Sequence, residues 1–153
     1  MSEVTIVDYE ARYAPDFKSL NVEWIQKYFT LEEHDLMELE NPEEFILSKG
    51  GNILFAKSGD EVVGTCALIK TGGYEFYLAK MGVAPAFQGK QTGKLLGIAA
   101  IDKAKAEGSK RVWLESNRAL VPAINLYMRL GFVEIPIDAT PYARANIRME
   151  LLL

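Results

Sequence analysis

One turn-rich stretch, residues 81–97 (MGVAPAFQGKQTGKLLG), constrains the fold of this 153-residue chain more than any other. It follows a segment with strand character at 76–83 and leads into a helical segment at 91–107. A strand that feeds a helix through such a turn leaves backbone N–H groups without partners at the helix N-terminus, and the positive end of the helix dipole lies behind them. The stretch therefore predicts an anion site.

Two glycines and two lysines in this stretch suit a phosphate group. Gly89 and Gly93 let the backbone approach the anion closely, and Lys90 and Lys94 add positive charge beside it. The spacing is not that of a Walker A loop, because three residues separate the glycines and Leu95 follows Lys94. The dinucleotide pattern G-x-G-x-x-G is also absent. A plain strand–turn–helix with a solvated basic turn is the alternative interpretation.

The residues QGKQTG at 88–93, after a strand that ends in V-A-P, resemble motif A of the GNAT superfamily of acyl-CoA-dependent N-acyltransferases. In that family Q/R-x-x-G-x-G/A cradles the pyrophosphate of coenzyme A. Gln91 stands where the family usually has its first glycine, a departure that ordinary helical angles would accommodate. The resemblance implies that acetyl-CoA is the cofactor and that it is bound by Met81, Gly82, Val83, Gln88, Gly89, Lys90, Gln91, Thr92, Gly93 and Lys94.

The segment SNRALVPAINLYMRLGF at 116–132 resembles motif B of the same family, an asparagine followed by A-x-x-x-Y-x-x-x-G-F. These elements are supplied by Asn117, Ala123, Tyr127, Gly131 and Phe132. The resemblance implies that Tyr127 contacts the cofactor and protonates the leaving sulfur, and that Asn117 and Asn125 bind the pantetheine arm or the other end of the cofactor. Taken alone, Tyr127 would be a core aromatic residue on an amphipathic helix.

The base that deprotonates the acceptor is less well marked. Many relatives carry an acidic residue on the strand before motif A, and Tyr77 occupies that place here. Glu75 lies two residues earlier, on the same face of a regular strand, and is the candidate base. A lysine-like amine of pKa ~10.4 costs roughly 4.6 kcal/mol to deprotonate at pH 7, against about 1 kcal/mol for an α-amine near ~7.8. A weak base therefore favours amino acids, peptides or similar small amines.

The leading hypothesis is an N-acetyltransferase that transfers the acetyl group of acetyl-CoA directly to a primary amine. The alternative is a non-catalytic acyl-CoA-binding sensor or regulatory domain. Cys66 is the only cysteine, so neither a disulfide framework nor a metal cluster is expected, and its predicted role is that of a buried small hydrophobe. His34, the only histidine, is expected to face solvent on an acidic helix.

Composition narrows the possible partners and location. The net charge of −4 and the pI near 5.1 argue against nucleic-acid binding, because no basic run could displace counterions from phosphates. No apolar run approaches the ~18 residues of a membrane span, and the N-terminal residues MSEVTIVDYE are acidic, unlike a signal peptide. We expect a single cytoplasmic domain over 1–153, monomeric or homodimeric, without membrane or nucleic-acid partners.

Periodicity and turn residues predict an α/β (α+β) fold with a mixed, mainly antiparallel central sheet. The order of the elements resembles that of the GNAT fold, which implies helices on both faces of the sheet and a splayed parallel strand pair that forms the cofactor cleft. Thr30 and Glu33 are expected to form a capping box at the start of a short helix. Strands are expected at 4–9, 52–57, 61–70, 74–83, 111–116, 132–138 and 144–152, and helices at 15–28, 42–47, 91–107 and 120–130.

Overall fold

A computed structural model describes residues 3–153, so Met1 and Ser2 at the start of the acidic N-terminal segment lie outside the described residues. The strands are β1 Val4–Asp8, β2 Asn52–Ser58, β3 Glu61–Gly72, β4 Glu75–Val83, β5 Arg111–Ser116, β6 Val133–Ile135 and β7 Ile147–Leu152. The helices are α1 Ala14–Tyr28, α2 Glu33–Glu40, α3 Pro42–Phe45, α4 Thr92–Ala106 and α5 Val121–Arg129.

The seven strands form one sheet in the order β1-β2-β3-β4-β5-β7-β6. Neighbours are antiparallel except β4 and β5, which run parallel because α4 carries the chain across between them. Their pairing ends at Tyr77 and Trp113, although β4 continues to Val83 and β5 to Ser116. The two strands therefore diverge at their carboxyl ends and open a cleft, which confirms the predicted fold class.

Helices cover both faces of the sheet. Along β2, Leu54 and Ala56 pack with Leu96 of α4, whereas the alternating Phe55 packs on the opposite face with Phe17 of α1. Alternate strand residues point to opposite faces, so one apolar strand contributes to both layers. Among residues 3–153, no helix is long and apolar enough to cross a membrane.

A bulge interrupts β4 beside the cleft. Thr65 pairs with Gly82 and Ala67 with Ala79, so the two residues Lys80 and Met81 lie opposite one residue of β3. Lys80 adopts a left-handed conformation with φ of 55°, which costs a non-glycine residue roughly 1 kcal/mol or more. Such a conformation persists only where surrounding contacts hold it in place.

Two local predictions are wrong. Helix α2 begins at Glu33 with Glu32, not Thr30, as its N-cap, because the buried carboxylate of Asp35 accepts a hydrogen bond from the Glu32 N–H at 3.0 Å. The last two strands are shorter than expected, since Pro136 has no N–H to donate after β6. The intervening residues 136–146 form a loop, hereafter the β6–β7 loop, at the end of the sheet.

Candidate active site

A cleft of about 710 Å³ lies between the end of β4, the turn before α4, and α5. This is the volume range of small-molecule and cofactor sites. It is lined by Met81, Val83, Phe87, Gln88, Gly89, Gln91, Gly93, Lys94, Pro122, Ala123, Leu126, Tyr127, Arg129 and Leu130. The cleft brings together residues from both sequence motifs, which are about 30 residues apart in the chain.

The turn before α4 contains two residues in the left-handed region. Gly89 has φ of 74° and Gln91, the residue that precedes the helix, has φ of 68°. Gln91 therefore does not take the ordinary helical angles that would accommodate a glutamine at this position. A left-handed residue at this place turns the chain sharply into α4, and glycine would adopt it without strain. Gln88 holds the turn from the strand side, since its Nε2 donates to the carbonyl oxygen of Val83 at 3.0 Å.

Other turn residues differ in what they offer the cleft. A Cβ on Gly93 would lie 3.2 Å from Leu126 and 4.0 Å from the sulfur of Met81, so the missing side chain leaves room between α4 and α5. Lys94 lines the cleft in the first turn of α4. Lys90 does not line it, and its ammonium lies 5.8 Å from the centre of the Phe87 ring. Thr92 is buried, with no hydrogen-bond partner for its hydroxyl.

The remaining motif A residue, Gly82, faces the opposite direction. A Cβ there would lie 3.0 Å from Trp24 and 3.1 Å from the carbonyl oxygen of Leu20, both on α1. Gly82 thus allows α1 to pack directly on the backbone of β4. The predicted binding segment 81–83 lies one residue past the start of the bulge, which comprises Lys80 and Met81.

A second, smaller cavity of about 190 Å³ lies between the diverging ends of β4 and β5, beside α1 and the β6–β7 loop; we call it the acceptor cavity. It is lined by Trp24, Phe29, Tyr77, Leu78, Ala79, Lys80, Met81, Glu115, Ser116, Asn117, Leu120, Ala123, Tyr127, Tyr142, Arg144 and Ala145. Met81, Ala123 and Tyr127 also line the larger cleft. The two spaces therefore meet at these three residues.

Tyr127 is the polar side chain at this junction. Its hydroxyl has no hydrogen-bond partner among residues 3–153, and its ring contacts Phe132 edge-on at 6.0 Å. Burial raises its pKa to about 12, with a smaller contribution from Cys66. Tyr127 is consequently neutral near pH 7 and carries a proton. Cys66 is fully buried as predicted, and burial raises its pKa to about 12 as well, so its thiol is not a nucleophile at neutral pH.

A buried ionic network forms one wall of the acceptor cavity. Asp35 is fully buried and accepts hydrogen bonds from Lys80 at 2.7 Å, from Arg144 at 2.7 and 2.8 Å, and from the backbone of Glu32. Burial alone would raise the pKa of Asp35, but the Arg144 hydrogen bonds and the Lys80 charge hold it well below its usual value. Lys80 also contacts the Tyr142 hydroxyl at 3.0 Å and Glu38 at 3.4 Å.

Glu115 is the carboxylate that lines the acceptor cavity. Its side chain is 2% exposed and accepts two hydrogen bonds from Arg148, at 3.0 and 2.6 Å, and one from Thr140 at 2.6 Å. Tyr77, which lines the same cavity, packs against Trp113 with ring centres 4.5 Å apart and ring planes tilted by 42°. Burial and then the nearby charge of Glu115 raise the pKa of Tyr77 above its usual range.

Three predicted site residues have other contacts. Glu75 does not line the acceptor cavity; its carboxylate accepts a hydrogen bond from Arg111 at 2.9 Å, at the opposite end of β4 from the bulge. Asn125 is exposed on α5 and lines neither space. Asn117 lines the acceptor cavity, but its amide donates to the Arg144 carbonyl at 2.7 Å and accepts from Ala119, which shapes the turn before α5.

The sequence reasoning missed several cavity residues. Lys80 and Glu115 carried a signal, because each is a charged residue inside a largely apolar strand segment, FYLAKMGV and RVWLES. Tyr142 and Arg144 carried none, since they lie in a segment that was expected to be strand or turn. Only the tertiary fold brings this loop against α2. No group of acidic, histidine or cysteine side chains suited to a metal ion occurs within residues 3–153.

The sequence matches a family model described as the acetyltransferase (GNAT) family over residues 18–132. The chain is also 30% identical, over 108 residues, to YvbK of Bacillus subtilis (strain 168), an uncharacterized N-acetyltransferase. That match covers 69% of this chain and 70% of YvbK.

Two solved structures have a similar fold. An acetyltransferase of the GNAT family from Staphylococcus aureus Mu50 superimposes with a TM-score of 0.85 at 22% identity, covering 97% of this chain and 98% of that one. The yncA protein from Salmonella typhimurium, solved with its cofactor acetyl-CoA, superimposes with a TM-score of 0.79 at 18% identity. That likeness covers 97% of this chain and 93% of yncA.

Proposed function

The chain belongs to the GNAT family of acetyl-CoA-dependent acetyltransferases, and on this premise we propose that it acetylates a primary amine of a small molecule, amino acid or peptide. The observation that carries the proposal is the junction of the two spaces at Met81, Ala123 and Tyr127. A donor in the larger cleft and an acceptor in the smaller cavity would meet there. Two spaces that share only these three lining residues support direct transfer between two bound substrates.

The residues of the larger cleft fit coenzyme A. The room left at Gly93, the left-handed turn at Gly89 and Gln91, and the N-terminus of the 15-residue helix α4 form a cradle for a pyrophosphate. Lys94 and Arg129 add positive charge to the same cleft. When bound, acetyl-CoA supplies the acetyl group as a reactive thioester. The diverging edge of β4 next to the bulge offers backbone groups to the pantetheine arm.

The side chains at the junction have complementary roles in the proposal. Tyr127 holds a proton on its hydroxyl and is the donor to the departing thiolate. Glu115, rather than Glu75, is the carboxylate that accepts the proton that the amine loses, because Glu115 lines the cavity whereas Glu75 is paired with Arg111 elsewhere. Tyr77, near Glu115, is positioned to hydrogen-bond the same amine. Trp24 and Phe29 give the cavity an apolar wall.

The test combines binding and turnover. Calorimetry should detect coenzyme A and acetyl-CoA but neither ATP nor NAD, and acetyl-CoA should release free thiol only when a suitable amine is added. Binding without release by any amine would favour the acyl-CoA-binding sensor instead. Absence of coenzyme A binding would overturn the assignment of the cleft.

A further inference from the structure

Among the described residues that line the acceptor cavity, Arg144 is the one cation with a hydrogen-bonding edge to spare. Its Nη1 and Nη2 atoms bind the two oxygens of Asp35, and Nη1 also donates to Glu32 at 3.2 Å. The remaining edge, formed by Nε–H and the second Nη2–H, has no partner among residues 3–153. Nε is not among the enclosed atoms that lack a partner, so this edge reaches open space. Arg144 lines the acceptor cavity, and its side chain is 13% exposed overall.

The other charged groups of this wall are already satisfied. Lys80 directs its ammonium to Asp35, Tyr142 and Glu38, which accounts for its three N–H donors. Asp35 accepts four hydrogen bonds, two on each oxygen. Among the charged groups of this wall, an anionic group that enters the cavity therefore finds free donors on Arg144.

The charges that line the cavity, rather than the net charge of the network, also favour an anionic group. The carboxylates of the network, on Glu32, Asp35 and Glu38, exceed its two cations by one. None of these three carboxylates lines the cavity, whereas the cations Lys80 and Arg144 do. The remaining lining charge is that of Glu115 on β5. The cavity thus presents positive charge on the wall that Arg144 forms and a carboxylate on the strand opposite.

We propose that the acceptor carries a carboxylate as well as its amine, and that the Nε–Nη2 edge of Arg144 binds this carboxylate while Glu115 faces the amine. The acceptor is then a small amino acid rather than a simple alkylamine or a peptide N-terminus. A side-on guanidinium fork matches two carboxylate oxygens and discriminates by geometry as well as charge. This inference rests on the proposed function and narrows its substrate class.

The first experiment compares matched acceptors with the wild-type protein. Each L-amino acid is assayed beside its carboxamide, with alkylamines and dipeptides included, and thiol release from acetyl-CoA gives kcat/KM. For the amino acid that is used best, we expect kcat/KM to exceed that of its carboxamide by ten- to hundredfold, as a charge-assisted pair would give. The lower basicity of the carboxamide's amine acts against this difference, so a preference for the acid cannot come from amine reactivity.

The second experiment changes the fork but keeps the charge. Arg144→Lys should raise KM for the amino acid at least tenfold with a smaller change in kcat, so that the ratio of kcat/KM for the amino acid to kcat/KM for its carboxamide falls at least fivefold. Arg118→Lys is the matched control, because Arg118 pairs with Glu134 on an exposed surface away from the acceptor cavity. Thermal unfolding and coenzyme A binding identify a variant that fails to fold. In that case the preference of the wild-type protein for amino acids over their carboxamides decides whether the acceptor carries a carboxylate.

The outcomes separate the two proposals. Preference for amino acids that is lost in Arg144→Lys supports the carboxylate fork. Carboxamides, alkylamines or dipeptides used as well as amino acids would overturn the fork and leave the acetyltransferase assignment standing. Coenzyme A binding without thiol release from any amine would overturn the transfer reaction itself.

Discussion

At the scale of single residues, two side chains decide most about the chemistry and the geometry of the site. Tyr127 brings an unpartnered hydroxyl to the junction of the two spaces. Gln91 adopts a backbone conformation that its side chain disfavours. Each can be changed without removing a partner from another buried polar group, so its contribution can be measured separately.

Tyr127→Phe removes only the hydroxyl that we propose as the proton donor. We expect kcat to fall about 100-fold, the lower end of a general acid's contribution, while coenzyme A affinity stays within twofold. Steady-state thiol release and calorimetry measure the two quantities. Tyr74→Phe, at a side chain that is 67% exposed, is the control and should change neither. An unchanged kcat in Tyr127→Phe would exclude Tyr127 as the proton donor.

Gln91→Gly should stabilise the protein. A left-handed conformation costs a non-glycine residue roughly 1–2 kcal/mol, and glycine removes this cost. The greater flexibility of glycine in the unfolded chain lowers the stability of the folded state by about 0.5–1 kcal/mol. The net expectation is a rise of about 0.5–1 kcal/mol in the free energy of unfolding, measured by urea denaturation. The same change at Gln26, inside the right-handed helix α1, should instead lose about 1 kcal/mol. Equal losses at both positions would contradict the assigned φ of Gln91.

At the scale of elements, the site depends on which segments are joined. Asp35 on α2 ties the bulge residue Lys80 on β4 to Arg144 in the β6–β7 loop. Helices α4 and α5 approach closely at Gly93. Because Gly93 has no side chain, the cleft between the two helices stays open. One change at each junction tests whether it supports the fold or the function.

Asp35→Asn leaves Lys80 and Arg144 buried with less compensation for their charge. Breaking such a buried ionic contact costs roughly 3–5 kcal/mol, and we expect a loss of that size in the free energy of unfolding at pH 7. Asp60→Asn in the exposed β2–β3 turn is the control and should cost less than about 0.5 kcal/mol. A small loss at Asp35 would mean that the network contributes little to stability.

Acid should weaken the same junction. The pKa of Asp35 lies below its unfolded value, so its stabilising contribution is complete above that value, near ~3.9, and is lost as pH falls towards the folded pKa. Urea unfolding between pH 7 and pH 2.5 should therefore show wild-type stability falling below about pH 4. In Asp35→Asn the free energy of unfolding should depend less on pH. An identical pH dependence in both proteins would contradict the assigned contribution of Asp35.

Gly93→Val fills the space between α4 and α5. Its Cβ would lie 3.2 Å from Leu126, and the branched methyl groups would project into the cleft, so we expect coenzyme A affinity to fall at least 30-fold, about 2 kcal/mol. Gly73→Val is the matched control, since a Cβ there meets no atom within 4 Å. Calorimetry measures both variants. Wild-type affinity in Gly93→Val would place the cofactor elsewhere.

At the scale of the whole molecule, binding and folding are linked because the cleft draws on β4, α4 and α5 together. Acetyl-CoA at 100 times its Kd should add about 2.7 kcal/mol to stability. For a chain of this size that corresponds to a rise of roughly 5–10 °C in Tm, measurable by calorimetry or dye fluorescence. ATP at the same concentration should give no shift. Equal shifts for both ligands would indicate nonspecific anion binding.

Much of the architecture could be predicted because local patterns and tertiary contacts agree. The strand and helix order, the glycine-containing turn before α4 and the parallel crossover all follow from periodicity, glycines and the resemblance of two motifs. The prediction of Thr30 as a cap was wrong because Asp35 forms the capping contact at Glu32 while also binding Lys80. The 144–152 strand begins late because Asn117 and Arg118 bind the backbone of Arg144 and the side chain of Asn146.

The sequence by itself determined the elements, the mixed sheet and the proposed place of the cofactor cleft, since the periodicity, turns and motifs that predict them each lie within a short stretch of the chain. Only the tertiary structure decided the acceptor cavity. Its wall joins Asp35, Lys80 and Arg144, which are separated by up to 109 residues and carry charges that a local pattern assigns to solvent. Burial makes each of these groups depend on the other two, and such mutual dependence exists only once the chain has folded.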